Sequence, residues 1–358
     1  MNLDELSHAI SKLPRKSVGF YPTPFHKVNN ISEKYGVNIY MKREDLSGPG
    51  AIGGSKIRLA EFIIGEALQS GVTHIITVGA YLSNSAGQVA TAAIQNGIKP
   101  ILFLYDTMAE GMPSAWRGNL LLNKIMGVEV HCFPRKPEEP QERVWEDTLY
   151  PAVAKKKAEL EAQGHKVLYA PAGAMHPASY PAHLLTFKEI MEQSAALGFT
   201  PDFLYHTTGT GGVLPSFVAA KLATGSSTVV RSIAISSYRP DNFISHQIIV
   251  DRVKAIYEKL GISPPGDNTI MSELDIDQRF IGPDYAIPND ESLAATKELA
   301  KSDGLFLGPV YTAKGFGGLL SHIKEGRVPA GSNIVFLHTG DVNNLFEDPR
   351  VTGQLIDS

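Results

Sequence analysis

Short apolar runs alternate with longer amphipathic stretches along most of this chain. Residues 74–78 join His74 to an Ile, Thr and Val run and read as a buried strand. Residues 85–96 keep small and apolar side chains on one side, which predicts a helix. A second strand is predicted at 99–104, a helix at 119–126 stopped by Gly127, a third strand at 128–133 and another at 166–169. Strand–helix–strand order with short turns predicts an α/β fold, with parallel sheets covered by helices on both faces. The second half repeats the pattern, with strands predicted at 203–206, 229–235 and 333–338. Residues 135–157 are rich in Pro, Glu and Lys and read as a solvated loop and helix face. There is no internal repeat and no low-complexity segment.

Composition narrows the class. A length of 358 residues fits about two domains. Apolar residues make up 43% and charged residues 20%, as in a packed soluble protein. A net charge of -4 and a pI near 6.3 point to neither nucleic acid nor an anionic membrane as partner. The start, Met1-Asn2-Leu3-Asp4-Glu5, is acidic and does not read as a signal peptide. The longest apolar runs fall far short of the roughly 18 residues that a membrane span needs. The single cysteine, Cys132, excludes an internal disulfide and any multi-cysteine metal site, and a cytoplasmic location is expected.

Several common chemistries lack their signatures. There is no His-Glu-x-x-His, no Cys-x-x-Cys and no Gly-x-Ser-x-Gly. No metal site is expected. The run His206-Thr207-Thr208-Gly209-Thr210-Gly211-Gly212-Val213 is neither a dinucleotide fingerprint nor a Walker loop, because Leu214 replaces the third glycine and no Gly-Lys-Ser/Thr follows. It does lie between a predicted strand and a predicted helix. Glycines there let successive N–H groups converge on one anion, such as a single phosphate. A plain strand-to-helix turn accounts for the same residues. In Gly53-Gly54-Ser55-Lys56, the lysine opens an amphipathic helix predicted at 57–69, where the helix dipole disfavours a cation. A lowered pKa suits an imine-forming amine; an isolated surface lysine is the simpler reading. Ser83-Asn84-Ser85 follows a strand and fits a helix cap or a ligand contact. The runs from Gly308 to Gly315 and from Leu337 to Asp341 are each, alone, a loop or a turn.

Together these five clusters resemble one family in order and spacing, from about Tyr21 to Phe346. They resemble the fold-type II enzymes that use pyridoxal 5′-phosphate (PLP), within the group of D-cysteine desulfhydrase and 1-aminocyclopropane-1-carboxylate (ACC) deaminase. Tyr21-Pro22-Thr23-Pro24 and Lys42-Arg43-Glu44-Asp45-Leu46 also match. The resemblance implies a tryptophan-synthase-β-like fold of two α/β domains, with residues 1–56 and 173–358 in a large PLP-binding domain and 57–172 in a small inserted one. It implies that Lys56 is the Schiff-base lysine and moves the Cα proton. Asn84 would bond the pyridoxal 3′ oxygen, Thr208, Gly209, Thr210, Gly211 and Gly212 the phosphate, and Thr339 the pyridine nitrogen. Ser83, Asn84 and Ser85 would hold the substrate carboxylate, with Ser83 also in proton handling. Tyr285, Tyr311 and Thr312 would form the substrate side, and a homodimer is implied.

Two positions separate members of the group. ACC deaminases resemble Pro-Val-Tyr-Glu and His-Leu-Gly-Gly where D-cysteine desulfhydrases resemble Pro-Val-Tyr-Thr and His-Thr-Gly-Gly. Here Thr312 and Thr339 form the desulfhydrase pair. A glutamate near the pyridine nitrogen would keep it charged, as ring opening requires, whereas a hydroxyl suffices when Cβ bears a good leaving group. The implied activity is α,β-elimination from a small amino acid. L-cysteate sulfo-lyase, ACC deaminase, a β-replacement synthase and a non-catalytic PLP sensor are the alternatives. Departures from the family pattern stand at Ser55, Leu82, Ser85 and Asp341, and over residues 171–183.

Overall fold

The structure, a computed structural model, describes residues 1–49, 53–113, 115–236, 245–346 and 349–356. Its strands, in chain order, are β1 (Phe25–Lys27), β2 (Asn38–Arg43), β3 (His74–Ala80), β4 (Lys99–Tyr105), β5 (Glu129–Phe133), β6 (Val167–Ala170), β7 (Phe203–Thr208), β8 (Val229–Ala234), β9 (Asp275–Asp277) and β10 (Asn333–His338). They form a four-stranded sheet of order β5-β4-β3-β6 and a six-stranded sheet of order β1-β2-β10-β7-β8-β9. All pairings are parallel except β1 with β2 at one edge. This is the expected α/β class. Every residue of β3 is buried, which explains why it reads as a continuous apolar run rather than an alternating one.

The helix Lys56–Gln69 joins the two sheets. Ten of its residues are buried, so both flanks of the helix are covered. Its Ile57, Phe62 and Ile63 share one core with Ile75 of the small sheet and Leu204 and Val335 of the large one. A buried ion network fixes its first turn. Arg58 donates to Glu44 at 2.6 and 2.8 Å and to Glu189 at 2.8 and 2.9 Å. Lys42 Nζ reaches Glu189 at 2.6 Å and Gln193 at 2.8 Å. Buried pairs of this kind favour one register over others.

One sequence expectation changes. The region expected as solvated is helical from Gln141 to Ala162, with a π-helical stretch at Val144–Leu149. Its outer face is solvated as expected. Leu149, Val153 and Leu160, however, pack on Ile76, Val78 and Phe103 of the small sheet. No helix among the described residues is long and apolar enough to cross a membrane.

Candidate active site

A cavity of about 270 Å³ opens at the C-terminal ends of strands from both sheets. Lys56 lines it from the first position of its helix. Glycine is required just before it by close approach. A Cβ on Gly53 would lie 2.1 Å from the Asp45 carbonyl, and one on Gly54 2.4 Å from the Gln88 amide. Ser55 N–H donates to the Thr339 carbonyl at 3.0 Å, tying the lysine to the turn after β10. Burial pulls the Lys56 amine down to about 8, and the Arg252 guanidinium adds to the shift. A free amine is therefore accessible near neutral pH.

The glycine-rich turn follows β7 and precedes the helix Leu214–Thr224. Gly211 has φ +71°, a left-handed conformation that glycine adopts without strain. Arg252 donates to the Thr210 and Gly211 carbonyls at 2.7 and 3.5 Å. Since a trans peptide sets N–H opposite C=O, the Gly211 and Gly212 N–H groups point away from Arg252. Gly212 leaves room for the lysine, as a Cβ there would stand 3.2 Å from Lys56 Nζ. Thr208 Oγ1 is buried without a partner.

Ser83 caps the helix Asn84–Gln95 and still faces the cavity. Its Oγ accepts from Ala86 N–H at 3.2 Å and lies 3.1 Å from Ser85 Oγ. Asn84 Oδ1 accepts from Asn119 Nδ2 at 2.8 Å, which holds the Asn84 amide in one orientation. Tyr285 and Tyr311 face each other with ring centroids 5.7 Å apart at 80°, and their hydroxyls are hydrogen-bonded. Burial raises both phenol pKa values.

Of the residues anticipated from sequence, Lys56, Ser83, Asn84, Ser85, Gly209, Thr210, Gly212, Tyr285, Tyr311 and Thr339 line the cavity. Thr208, Gly211 and Thr312 do not. Thr208 and Gly211 sit within the turn itself. Thr312 is withdrawn because Asp341 takes its hydroxyl: Thr312 Oγ1 donates to Asp341 Oδ1 at 2.8 Å. Asp341 stands on the wall instead, at φ +69°, and burial pushes its carboxyl up to about 7. Gln141, Glu142 and Trp145 were missed, since they lie in the region that reads as solvated. The one signal was a tryptophan inside a charged run; its ring meets Tyr105 edge-on at 5.2 Å.

These residues fit PLP. A lysine with a lowered pKa suits the aldehyde, and a single anion-sized turn with an unpartnered hydroxyl suits the monophosphate. Comparison with known proteins agrees. The family model described as "Pyridoxal-phosphate dependent enzyme" matches residues 16–340. A 1-aminocyclopropane-1-carboxylate deaminase of Variovorax paradoxus (strain S110) is 28% identical over 94% of this chain and 96% of that protein. A second such deaminase from Variovorax paradoxus is 29% identical over the same shares. A crystal structure of an ACC deaminase homologue superposes with a TM-score of 0.84 at 26% identity, covering 98% of this chain and 99% of that one. The processed threonine deaminase isoform 2 of Solanum lycopersicum shares the fold at TM-score 0.64 and 18% identity, over 99% of this chain and 92% of that one. With its fold, its lysine and its family match in agreement, the chain belongs to the fold-type II pyridoxal-phosphate dependent enzymes.

Proposed function

We propose that this protein is a lyase acting by α,β-elimination on a small amino acid, with D-cysteine as substrate and pyruvate, hydrogen sulfide and ammonia as products. The observation that carries this reading is the convergence of Lys56, the Gly209–Gly212 turn and the Tyr285–Tyr311 pair on one cavity. When bound, PLP supplies an electron sink that stabilises negative charge at Cα. Lys56 anchors it, and Thr208 with the 209–212 turn holds its phosphate. Asn84 orients the ring oxygen, and Thr339 faces the ring nitrogen. Ser83, Ser85 and the N–H groups opening the helix Asn84–Gln95 hold the substrate carboxylate.

The proton inventory follows from the residues. Lys56 Nζ takes the Cα proton. The Cβ–S bond breaks with its electron pair on sulfur, and the sulfur leaves as hydrosulfide held by hydrogen bonds from the Tyr285–Tyr311 hydroxyls. Raised phenol pKa values keep both hydroxyls protonated, so that they serve as donors to that sulfur. The released enamine hydrolyses to pyruvate and ammonia. Among the described lining residues the charged groups are Lys56, Glu142, Asp284 and Asp341. Glu142 and Asp284 on the wall, against one committed lysine, favour a thiol over the sulfonate of L-cysteate. We further place the domain boundaries at 56/57 and 172/173, because the small sheet is drawn wholly from residues 74–170.

A second reading, ACC ring opening, is favoured by Asp341 and by the names of the relatives. Its carboxyl supplies an acid on the cavity wall where Thr312 lacks one. The deciding experiment assays purified, PLP-loaded protein against D-cysteine, L-cysteate and ACC side by side. Ammonia with sulfide from D-cysteine is the expected result. Ammonia from ACC alone establishes the second reading, and no ammonia from any of the three overturns the lyase assignment.

A further inference from the structure

Lys314 is a fully buried cation that the reaction outlined above does not use. Its side chain is 0% exposed and lies in the helix Thr312–Lys324. Nζ donates to three main-chain carbonyls: Ile281 at 2.6 Å, Asp284 at 2.8 Å and Tyr285 at 3.2 Å. An ammonium has three hydrogens, and all three are placed. The carbonyls belong to the irregular segment between β9 and the helix Asp290–Asp303, where Gly282, Pro283 and Asp284 are exposed. A cation beneath an exposed loop, bonded to its backbone, is a fastener for that loop. The same helix begins directly after Tyr311, whose N–H donates to Asp341 Oδ2 at 2.8 Å. One element thus carries one tyrosine at its start and grips the backbone of the other three residues later.

We propose that Lys314 is a positioning residue that sets the Tyr285–Tyr311 pair at the substrate end of the cavity. This rests on the proposed role of that pair in the reaction. Desolvation is the cost of the arrangement, and burial lowers the Lys314 pKa to about 8. The Asp284 carboxylate opposes that loss of charge, and the three carbonyls accept the ammonium's hydrogens.

The test compares Lys314→Met, Lys314→Gln, Tyr285→Phe and the doubles. Hydrogen exchange over residues 278–289 is read on PLP-loaded protein without substrate. Faster exchange confined to that segment in Lys314→Met, partly restored in Lys314→Gln, is expected, with cofactor absorbance retained. Turnover should fall by about 10²-fold at similar KM, since small misplacements near the chemistry cost that much. In a Tyr285→Phe background Lys314→Met should cost little more. Unchanged exchange in the segment, or additive losses in the double, would overturn the assignment. If Lys314→Met does not fold, Lys314→Gln carries both measurements. Because exchange needs no substrate, failure of the lyase reading leaves the positioning claim separately testable.

Discussion

Asp341 Oδ1 accepts a hydrogen bond from Thr312 Oγ1 at 2.8 Å, and so ties one of the two positions read as separating members of the group to a position that departs from the group's pattern. The pair is buried, with Asp341 4% exposed and Thr312 0%. A glutamate introduced at 312 would bring a second carboxyl against the first. Thr312→Glu alone is therefore expected to destabilise the fold, by about 3 kcal/mol or more for an uncompensated buried charge. Adding Asp341→Gly should restore stability, because it removes the competing acid and relieves a left-handed non-glycine residue. With Thr339→Leu added, activity should move toward ACC. Thermal melting of the three variants and ammonia release from ACC check this sequence.

The same carboxyl gives a pH signature. Its folded pKa of about 7 stands above the ordinary 3.8 because of burial. The folded state thus holds a proton that the unfolded chain has lost between those values, and stability contributed here falls as pH rises from about 4 through 7. Between pH 5 and 8 the loss is on the order of 3 kcal/mol. Asp341→Asn should flatten that part of the profile in denaturant titrations at the two pH values. An unchanged slope would show that the carboxyl ionises normally.

Gly212 predicts a fold defect and a cofactor defect from one substitution. A Cβ there would lie 3.2 Å from Lys56 Nζ, 3.3 Å from Leu59 and 3.4 Å from Met175. Overpacking of this kind costs about 1–3 kcal/mol. Gly212→Ala should therefore lower the stability of the cofactor-free protein by about that amount in thermal melts, and, by crowding Lys56 Nζ, weaken PLP binding in an absorbance titration.

Ser83 has two duties that one substitution separates by size. Loss of its cap to Ala86 N–H should cost about 1 kcal/mol of stability. Its place on the cavity wall predicts that Ser83→Ala also lowers turnover by far more than it lowers PLP occupancy. Retained turnover would return Ser83 to capping alone.

The sequence revealed elements whose signal is local. The strand β10 was delimited to the residue, because an apolar run lies between Ser332 and the Thr339-Gly340 turn. The glycine turn and the helix opened by Lys56 were legible for the same reason. The strands β1 and β2 were not: β1 has three residues, two of them His26 and Lys27, and Lys42 and Arg43 break the apolar pattern of β2. The charge of Lys42 is held by Glu189 and Gln193, which lie 147 and 151 residues away in the chain. Trp145 and Glu142 were hidden in a charged run, because a helix that is wet outside can still aim two residues at a cavity. Asp341 stood out in sequence as a departure, but its bond to Thr312 exists only once the turn after β10 meets the helix Thr312–Lys324.

Borohydride reduction of the PLP-loaded protein, followed by peptide mapping, reads the central claim most directly. A single pyridoxyl label on the peptide containing Lys56, absent in Lys56→Ala, is the expected result. A label on another lysine, or a protein that takes up no PLP at all, would contradict the assignment of this cavity as the catalytic centre.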